Sequence, residues 1–311
     1  MKFRILLYLL FSILFVFLII RIYNTLTDDF RLSHITYEMP YQQEWQLGHL
    51  SAGEEQKLEE ILSQPFTYLG KGAQSYVFES SDGLYVLKFF KFKHLRPSWF
   101  IEALPPLGFI KTYQSKQAVR RERKLWGVFR AYKLAYDVNK QESGLVFIQL
   151  NIRENPMRYV TIIDKIGFKR ILNLADYAFI IQKKGQTLQA VLDRLLSQGE
   201  SSEASKRIGE ILEMYAEEYG KGVYDHDHNV MRNTGFLGES PIHLDVGKLA
   251  KDESMRQSER AWQDALLVAA HIKRWIHRHY PQDEKYLETF IDKKMAQLFT
   301  SDCVQIHNHS P

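Results

Sequence analysis

The sequence predicts an α+β protein in which a strand-rich half precedes a helical half, and one apolar segment precedes both. Short runs of β-branched and aromatic residues, separated by turn residues, occupy the region from residue 65 to residue 184. From residue 185 onward, apolar residues recur mostly with the spacing of amphipathic helices. Strands that are followed by helices, instead of alternating with them, are typical of an α+β, two-lobed arrangement.

The composition is that of a packed globular protein. Of 311 residues, 45% are hydrophobic, 25% charged and 13% aromatic, which excludes disordered and collagen-like chains. A lone cysteine, Cys303, excludes a disulfide framework within the chain. The net charge of +4 depends on Lys2, Arg4 and Arg21, because without them 38 basic residues face 37 acidic ones. A nucleic-acid partner needs a clustered basic face and is therefore not expected.

Residues 5–20 form an apolar run without a charge, flanked by basic residues. With its continuation to residue 23 the run is long enough to span a bilayer, because flanking arginines can reach the interface. No small-residue cleavage site follows it, which favours an uncleaved anchor over a cleaved signal peptide or a buried core helix. We therefore expect residues 1–23 to be a transmembrane anchor that contacts lipid through residues 5–23.

The sequence pattern of the remaining chain changes after residue 64, from mixed polar to strand-like, and after residue 184, from strand-like to mostly helical. We expect residues 24–64 to be a juxtamembrane linker with a short helix at Gly53–Leu62, residues 65–184 to be a first lobe, and residues 185–311 to be a second lobe. In the first lobe the pattern predicts strands at Phe66–Leu69, Ser75–Ser80, Leu84–Phe90, Leu145–Leu150, Val160–Asp164 and Tyr177–Gln182, a hairpin within residues 166–174, and a basic helix over residues 115–136. In the second lobe it predicts helices over residues 187–197, 205–219, 258–280 and 283–298, with Thr187 as an N-cap, and a β insertion at Val230–Met231 and Ile242–Leu244.

Two features of the first lobe are suited to holding phosphate. Gly70, Gly72 and the small Ser75 lie between two predicted strands, where glycines let the backbone approach a ligand, although an ordinary β-hairpin carries glycines too. Lys88 ends the apolar run Val86-Leu87-Lys88 on the next strand, and Glu122 lies in the basic helix as a candidate partner. The alternatives are a solvent-facing lysine on an alternating strand and a solvated helix face.

Two features of the second lobe are suited to acid–base or metal chemistry. Residues 224–231 (Tyr-Asp-His-Asp-His-Asn-Val-Met) concentrate carboxylates, imidazoles and an amide after an amphipathic helix. Residues 242–249 form an apolar strand that ends in Asp245-Val246-Gly247, a position suited to a ligand for a hard cation, although a simple turn is the alternative.

In this order the motifs resemble those of the protein-kinase-like superfamily, over roughly residues 66–280. The resemblance implies a two-lobed kinase-like fold that uses ATP and Mg²⁺. It implies the following roles: Gly70, Gly72 and Ser75 in a glycine-rich lid, Lys88 and Glu122 as the strand lysine and its helix partner, Gln182 and Lys184 in a hinge that binds adenine, and Asn229 and Asp245 as metal ligands.

The chain departs from the family pattern at the catalytic aspartate, which in the family lies five residues before the asparagine. Here Asp225 lies four residues before Asn229, and Asp227 lies two before it. We expect Asp225 to be the base, helped by Asp227 or His228. A second fit pairs Asp227 with Asn233, but its spacing is also irregular and it leaves Asn229 unused. The absence of an Ala-Pro-Glu segment after Asp245 indicates an abbreviated C-lobe, as in lipopolysaccharide-core and aminoglycoside kinases.

The leading hypothesis is a membrane-anchored, ATP-dependent phosphotransferase in which Asp225, Asp227 and Lys88 are catalytic and the acceptor is an unspecified hydroxyl compound. The alternative is an inactive pseudokinase that acts as a membrane-bound scaffold or nucleotide sensor, which the displaced aspartate favours. A third interpretation makes His226, His228, Asp227 and Asp245 a transition-metal site.

The compartment follows from opposing observations. The charges that flank the apolar run weakly favour the N-terminus inside and the bulk of the chain outside. ATP is scarce outside a bacterial cytoplasm, and the scarcity of cysteine argues against an oxidising compartment. We therefore expect a single-pass protein of the bacterial inner membrane with its catalytic domain on the cytoplasmic face.

Overall fold

The computed structural model describes residues 2–93, 108–153 and 157–299, and its mixed α+β content confirms the predicted class. Cys303 lies outside the described residues. The helices are α1 (Lys2–Leu26), α2 (Leu32–Ile35), α3 (Ala52–Leu62), α4 (Gly108–Val138), α5 (Leu188–Ser197), α6 (Ser201–Gly220), α7 (Val230–Asn233), α8 (Ser258–His279) and α9 (Glu284–Phe299). The strands are β1 (Phe66–Lys71), β2 (Ser75–Ser80), β3 (Tyr85–Phe90), β4 (Leu145–Gln149), β5 (Tyr159–Ile163), β6 (Lys169–Asn173), β7 (Phe179–Lys183), β8 (Gln186–Thr187), β9 (Val223–Asp225), β10 (Thr234–Leu237), β11 (Ser240–His243) and β12 (Leu249–Lys251).

The chain forms two compact units, each built from two stretches of the sequence. The first unit contains Met1–Arg121 and Phe147–Ile181, and the second contains Glu122–Val146 and Gln182–Pro311. The second unit begins at Glu122, within α4, so it contains most of the basic helix predicted over residues 115–136.

A seven-stranded sheet dominates the first unit, in the order β4-β7-β3-β2-β1-β5-β6. Antiparallel pairing joins β1, β2 and β3 through successive hairpins, and β5 pairs with β1 in parallel. The predicted strand Ser75–Ser80 is confirmed, and a turn at Asp82-Gly83 follows it, with Gly83 at a φ of 72°. The hairpin predicted within residues 166–174 instead joins β5 to β6, since the residues from Asp164 to Phe168 form its turn.

The segment expected to be a juxtamembrane linker packs into the first unit. The Phe30 ring lies 5.2 Å from that of Tyr76 and 5.1 Å from that of Phe78, both edge-on. Ile35 and Trp45 are buried as well. Each such side chain contributes roughly 1.5–3 kcal/mol by leaving water, so residues 24–64 are part of the packed unit and not a free tether. The predicted helix in this segment is confirmed as α3, which begins at a capping box between Ser51 and Glu54.

The α1 helix contains a stretch, Leu7–Leu26, that is long and apolar enough to cross a membrane. Its 20 residues rise about 30 Å, the thickness of a bilayer's hydrocarbon core. A membrane span and a signal sequence both have these properties.

Helices α5, α6, α8 and α9 form the apolar core of the second unit. The predicted N-cap is confirmed, because the Thr187 hydroxyl accepts a hydrogen bond of 3.2 Å from the Ala190 N–H at the start of α5. The prediction of a strand at Val230–Met231 is wrong: these residues form the helical turn α7, and the strand β10 begins at Thr234. Both side chains are buried in the core, so their apolar character reflects packing and not strand pairing.

Candidate functional site

Three short elements of the second unit bring the polar motifs together. The β9 strand ends at Asp225 and pairs with β12, so that Asp225 lies opposite Leu249. The α7 turn ends at Asn233, whose backbone oxygen accepts hydrogen bonds from the N–H groups of Leu244 (2.7 Å) and Asp245 (3.2 Å). Because the Asn233 carbonyl accepts both of these hydrogen bonds, Asn233 and Asp245 are adjacent although they are twelve positions apart in the chain.

Asp227 is a partly exposed carboxylate held by cations and amides. Its Oδ2 accepts a hydrogen bond of 2.9 Å from the Lys248 ammonium. Partial burial by itself raises the pKa of Asp227, but hydrogen bonds from the side chains of Lys248 and Asn233 and from the backbone of Asn229 bring it below its ordinary value. Asp227 is therefore ionised at neutral pH and lies beside Asn233.

Asp225, the expected base, is an interior residue with a side chain only 1% exposed. Its Oδ1 accepts a hydrogen bond of 2.8 Å from the Asp227 N–H, and its Oδ2 has no hydrogen-bond partner among the described residues. Burial raises the pKa of Asp225 to about 7, opposed by nearby His243 and reinforced by the charges of Asp227 and Asp245. In this position Asp225 fixes the backbone of Asp227 and is shielded from solvent.

Asp245 is exposed at the end of the loop that follows β11. Its Oδ1 accepts a hydrogen bond of 3.0 Å from the Gly247 N–H and one of 3.4 Å from the Tyr132 hydroxyl. Burial raises the pKa of Tyr132 well above its ordinary value, and the carboxylate of Asp245 raises it further. Tyr132 therefore stays protonated and donates to Asp245.

Asn229, the expected metal ligand, is exposed, and its carbonyl accepts the hydrogen bonds that start the α7 turn. The residues after Asn229 form a helical turn, whereas Asn233 directly precedes the strand β10. Val230 and Met231 resemble a strand in sequence because a buried helical turn and a strand both require apolar residues.

The histidines of the motif point to other partners. His226 contacts the Tyr224 ring, with 4.4 Å between ring centroids, and its Nε2 lies 2.8 Å from the tyrosine hydroxyl. His228 Nε2 lies 3.0 Å from Oδ1 of the buried Asp264. Within residues 2–93, 108–153 and 157–299, no group of three or more His, Cys, Asp or Glu side chains is arranged to hold a metal ion. The transition-metal interpretation of this motif is therefore not supported.

A buried polar network, absent from the sequence predictions, lies behind Asp225. Glu218 is completely buried and accepts two hydrogen bonds, one of 2.9 Å with His243 Nε2 and one of 2.8 Å from Asn139 Nδ2. The Gln182 amide donates to the carbonyls of Ser143 (2.6 Å) and His243 (3.0 Å). These contacts fix β11, the strand that precedes the loop with Asp245. The sequence offers no local signal for them, since their partners come from four separate segments.

The nucleotide residues predicted in the first unit lie on its hairpins. A Cβ built on Gly70 meets nothing within 4 Å, and one on Gly72 meets the Ser75 hydroxyl at 3.9 Å. Neither glycine has a positive φ, so neither conformation nor crowding within the chain requires glycine there. The Lys88 side chain is 8% exposed on β3, which excludes the interpretation of a solvent-facing lysine. An ammonium is not buried without a partner.

The other predicted nucleotide residues lie in the second unit. Glu122 is an exposed residue of α4, and Lys184 is half-buried directly after β7. The Gln182 side chain donates to the carbonyls of Ser143 and His243, so only the Gln182 backbone is available for the adenine binding expected from the sequence.

No protein-family model matches the sequence, and no curated protein matches it significantly. Among solved structures, the chain is similar to WbdD, described as a bifunctional kinase-methyltransferase, with 14% identity, a TM-score of 0.37, and coverage of 76% of this chain and 47% of that one. A complex of WbdD with the kinase inhibitor LY294002 gives 14% identity, a TM-score of 0.36, and coverage of 76% and 46%. The chain thus spans about half the length of the solved chains that it matches. With similarity this distant, the function has to be argued from the residues of this chain.

Proposed function

We propose that this protein is a membrane-anchored phosphotransferase that transfers the γ-phosphate of ATP to an acceptor hydroxyl. The observation that carries the proposal is that Asp227 and Asp245 both contact Asn233 in the second unit. The Asn233 side chain hydrogen-bonds Asp227, and the Asn233 backbone carbonyl accepts a hydrogen bond from the Asp245 N–H. Phosphoryl transfer can use such a group of two carboxylates and the neighbouring Lys248, held by hydrogen bonds between the loops. Catalysis in this reaction class consists mainly of positioning and charge neutralisation.

The donor chemistry at this site fits magnesium. Mg²⁺ prefers oxygen ligands and is usually held by one or two carboxylates together with substrate phosphates, not by a cage of protein side chains. Asp245 supplies an exposed carboxylate and Asn233 supplies an amide oxygen next to it. In this proposal Asp245 and Asn233 would hold the ion, which neutralises phosphate charge when bound, and Asn233 replaces Asn229 in the expected role.

We assign the acceptor-orienting role to Asp227 instead of Asp225. A group that orients a hydroxyl needs access to solvent and must be ionised, and Asp227 meets both conditions. Asp225 meets neither, because its side chain is enclosed and burial favours its protonated form. The role left to Asp225 is to hold the backbone N–H of Asp227.

The first unit supports nucleotide binding through the space above its glycines and through a buried lysine. In the proposal Gly70, Gly72 and Ser75 lie along the phosphates, and Lys88 neutralises them. The backbone at Gln182 and Lys184, where β7 ends, would hold the base.

Membrane attachment completes the proposal. Residues 5–23 would lie in the bilayer, with the catalytic units on the cytoplasmic side, where ATP is abundant. A lipid, a saccharide, a small molecule and a protein all remain acceptors compatible with the site.

The test measures nucleotide binding and turnover separately on the full chain in detergent micelles. We expect Mg·ATP to raise the melting temperature of the wild type, and Asp245→Asn to abolish that shift. Asp227→Asn should keep the shift and lose about 100-fold or more of the ADP formed with water or with an added acceptor. Asp292→Asn, on the exposed face of α9, is the matched control and should behave as wild type.

The outcomes separate the alternatives. A wild type that binds Mg·ATP without turnover for any acceptor class would indicate the scaffold or nucleotide sensor. The phosphotransferase proposal is falsified if Mg·ATP produces no shift in the wild type. A loss of turnover in Asp225→Asn equal to that in Asp227→Asn, in an Asp225→Asn protein that is no less stable than wild type, would contradict the assignment of roles.

A further inference from the structure

The α1 helix ends on a basic surface that the sequence does not show as a cluster. After Leu26 the chain reverses through Asp28 and Asp29, both with positive φ (52° and 63°). Around this reversal lie six cationic side chains from four segments of the first unit, which we name the basic collar. The basic collar consists of Arg21, Arg31, Lys71, Lys91, Lys93 and Lys165.

The two carboxylates lie beneath the basic collar. Asp28 is 3.4 Å from the Lys71 ammonium and 3.0 Å from that of Lys165. Asp29 is 2.6 Å from the Lys93 ammonium. The Asp28 side chain is 24% exposed, whereas those of Lys71 and Lys165 are 45% and 43% exposed. The outward surface is therefore cationic, and six cations against two carboxylates leave a surplus of four positive charges.

Lys91 lies among other cations of the basic collar. Its ammonium donates to the Gly72 carbonyl and lies 4.6 Å from the centre of the Tyr76 ring. Burial and the neighbouring charges of Lys93 and Lys71 lower the pKa of Lys91 to about 8, against the opposing effect of Asp28 and Asp29. Additional negative charge at this surface would be favourable.

A cavity of about 480 Å³ runs along the end of α1 under the basic collar. Its lining changes from apolar at Phe17 and Ile20 to charged at Arg21 and Lys71, which lie beside Asp28 and Asp29. A phospholipid has the same order of properties, because acyl chains pass into a charged phosphate.

The tip of the β5–β6 hairpin supplies a second, independent feature of a membrane surface. Phe168 is 59% exposed and Ile166 is 39% exposed, so two apolar side chains face outward at this tip. Lys165 of this tip is the residue that contacts Asp28, directly after α1. Exposed apolar side chains beside a lysine are characteristic of segments that enter the lipid headgroup region.

We propose that the basic collar and the cavity beneath it bind the phosphate headgroup of an anionic phospholipid, with the β5–β6 tip in the same interface. Arg21 and Lys71 would contact the phosphate, and Phe17 and Ile20 the start of the acyl chain. This proposal rests on the membrane anchoring proposed above.

The test uses the full chain, extracted in mild detergent with phosphatidylglycerol or phosphatidylcholine of equal chain length, and native mass spectrometry counts the retained lipids. We expect wild type to retain phosphatidylglycerol on the order of tenfold better than phosphatidylcholine, with the preference reduced by salt. The double variant Lys71→Gln/Lys165→Gln should lose the preference. The control Lys206→Gln/Lys273→Gln removes two lysines that also pair with carboxylates, in the second unit, and should keep it.

Two further arms identify the source of failure. Inorganic phosphate added to the lipid-free protein tests for a simple phosphate site: binding that the double variant abolishes, without a preference for phosphatidylglycerol, would overturn the lipid proposal. Equal retention of both lipids by wild type would overturn it as well. Release of the protein from membranes by alkaline carbonate would refute the anchoring itself, and the Mg·ATP shift reports on the catalytic proposal independently.

Discussion

Removing the carboxylate of Glu218 should destabilise the second unit more than any surface change on the same helix. Glu218 is completely buried on α6, with His243 on one carboxylate oxygen and Asn139 on the other. Glu218→Ala leaves both partners buried without an acceptor, and breaking a buried pair in this way costs about 3–5 kcal/mol. Glu218→Gln keeps the volume and loses a charge-assisted hydrogen bond, which costs about 2 kcal/mol. Glu217, the neighbouring exposed residue, provides the control Glu217→Gln, expected within about 0.5 kcal/mol of wild type.

The pH dependence gives the same pair a second signature. Burial by itself lowers the pKa of His243, but the carboxylate of Glu218 raises it above its ordinary value. The folded-state pKa is thus above the unfolded one, so this stabilisation is complete below about pH 6.5 and is lost as the pH rises through the folded-state pKa. The difference in stability between wild type and Glu218→Gln should therefore shrink as the pH rises from 6 to 9.

The assay is urea unfolding of the full chain at constant detergent, followed by tryptophan fluorescence, at pH 6, 7.5 and 9. Glu218→Gln and Glu217→Gln are compared at each pH. Equal unfolding midpoints for these two variants would refute the argument, because they would show that the network contributes nothing to folding. A difference that stays constant with pH would refute the assignment of a protonated His243 while leaving the hydrogen bonds intact.

Three further results are expected. Gly235→Ala should lower the free energy of unfolding of the second unit by about 3 kcal/mol more than Gly220→Ala, as measured in thermal melts. A Cβ on Gly235 would lie 1.8 Å from the Gln186 carbonyl oxygen, whereas a Cβ on Gly220 meets nothing within 4 Å. Equal melting temperatures of the two variants would contradict the β8–β10 pairing. Asp225→Asn should stabilise the protein above pH 7 by up to about 4 kcal/mol. The pKa of Asp225 is raised to about 7 in the folded state, so the wild type loses stability as the pH rises from about 4 through 7. Wild-type melting curves that are identical at pH 5 and pH 8 would count against this. Lys88→Met should weaken Mg·ATP binding at least tenfold in thermal-shift titrations, whereas Lys57→Met on the exposed face of α3 should not; an unchanged affinity would remove Lys88 from the nucleotide site.

Local patterns were sufficient for most of the elements. The boundaries of β2 and the cap of α5 agree with the sequence, because alternation, turn residues and capping side chains act over a few neighbouring residues. The order of strands and then helices was predictable for the same reason. Sequence also located the segments that carry the site, since polar residues concentrated between apolar runs stand out without any structure.

The choice of residues within those segments needed the tertiary structure. The sequence favoured Asn229, and only the structure shows that the strand β10 follows Asn233 and that the Asn233 carbonyl accepts hydrogen bonds from the 244–245 turn. Asp225 and Asp227 likewise differ by burial, which depends on the pairing of β9 with β12.

The sequence by itself thus determined the element types, the apolar N-terminal helix and the segments where chemistry is concentrated. The packing of residues 24–64, the burial of Asp225 and the basic collar at the end of α1 were decided by tertiary structure alone. The physical reason is that burial and the summation of charge depend on distance in space. Lys71 ends β1 and Lys165 lies in the turn between β5 and β6, yet both contact Asp28.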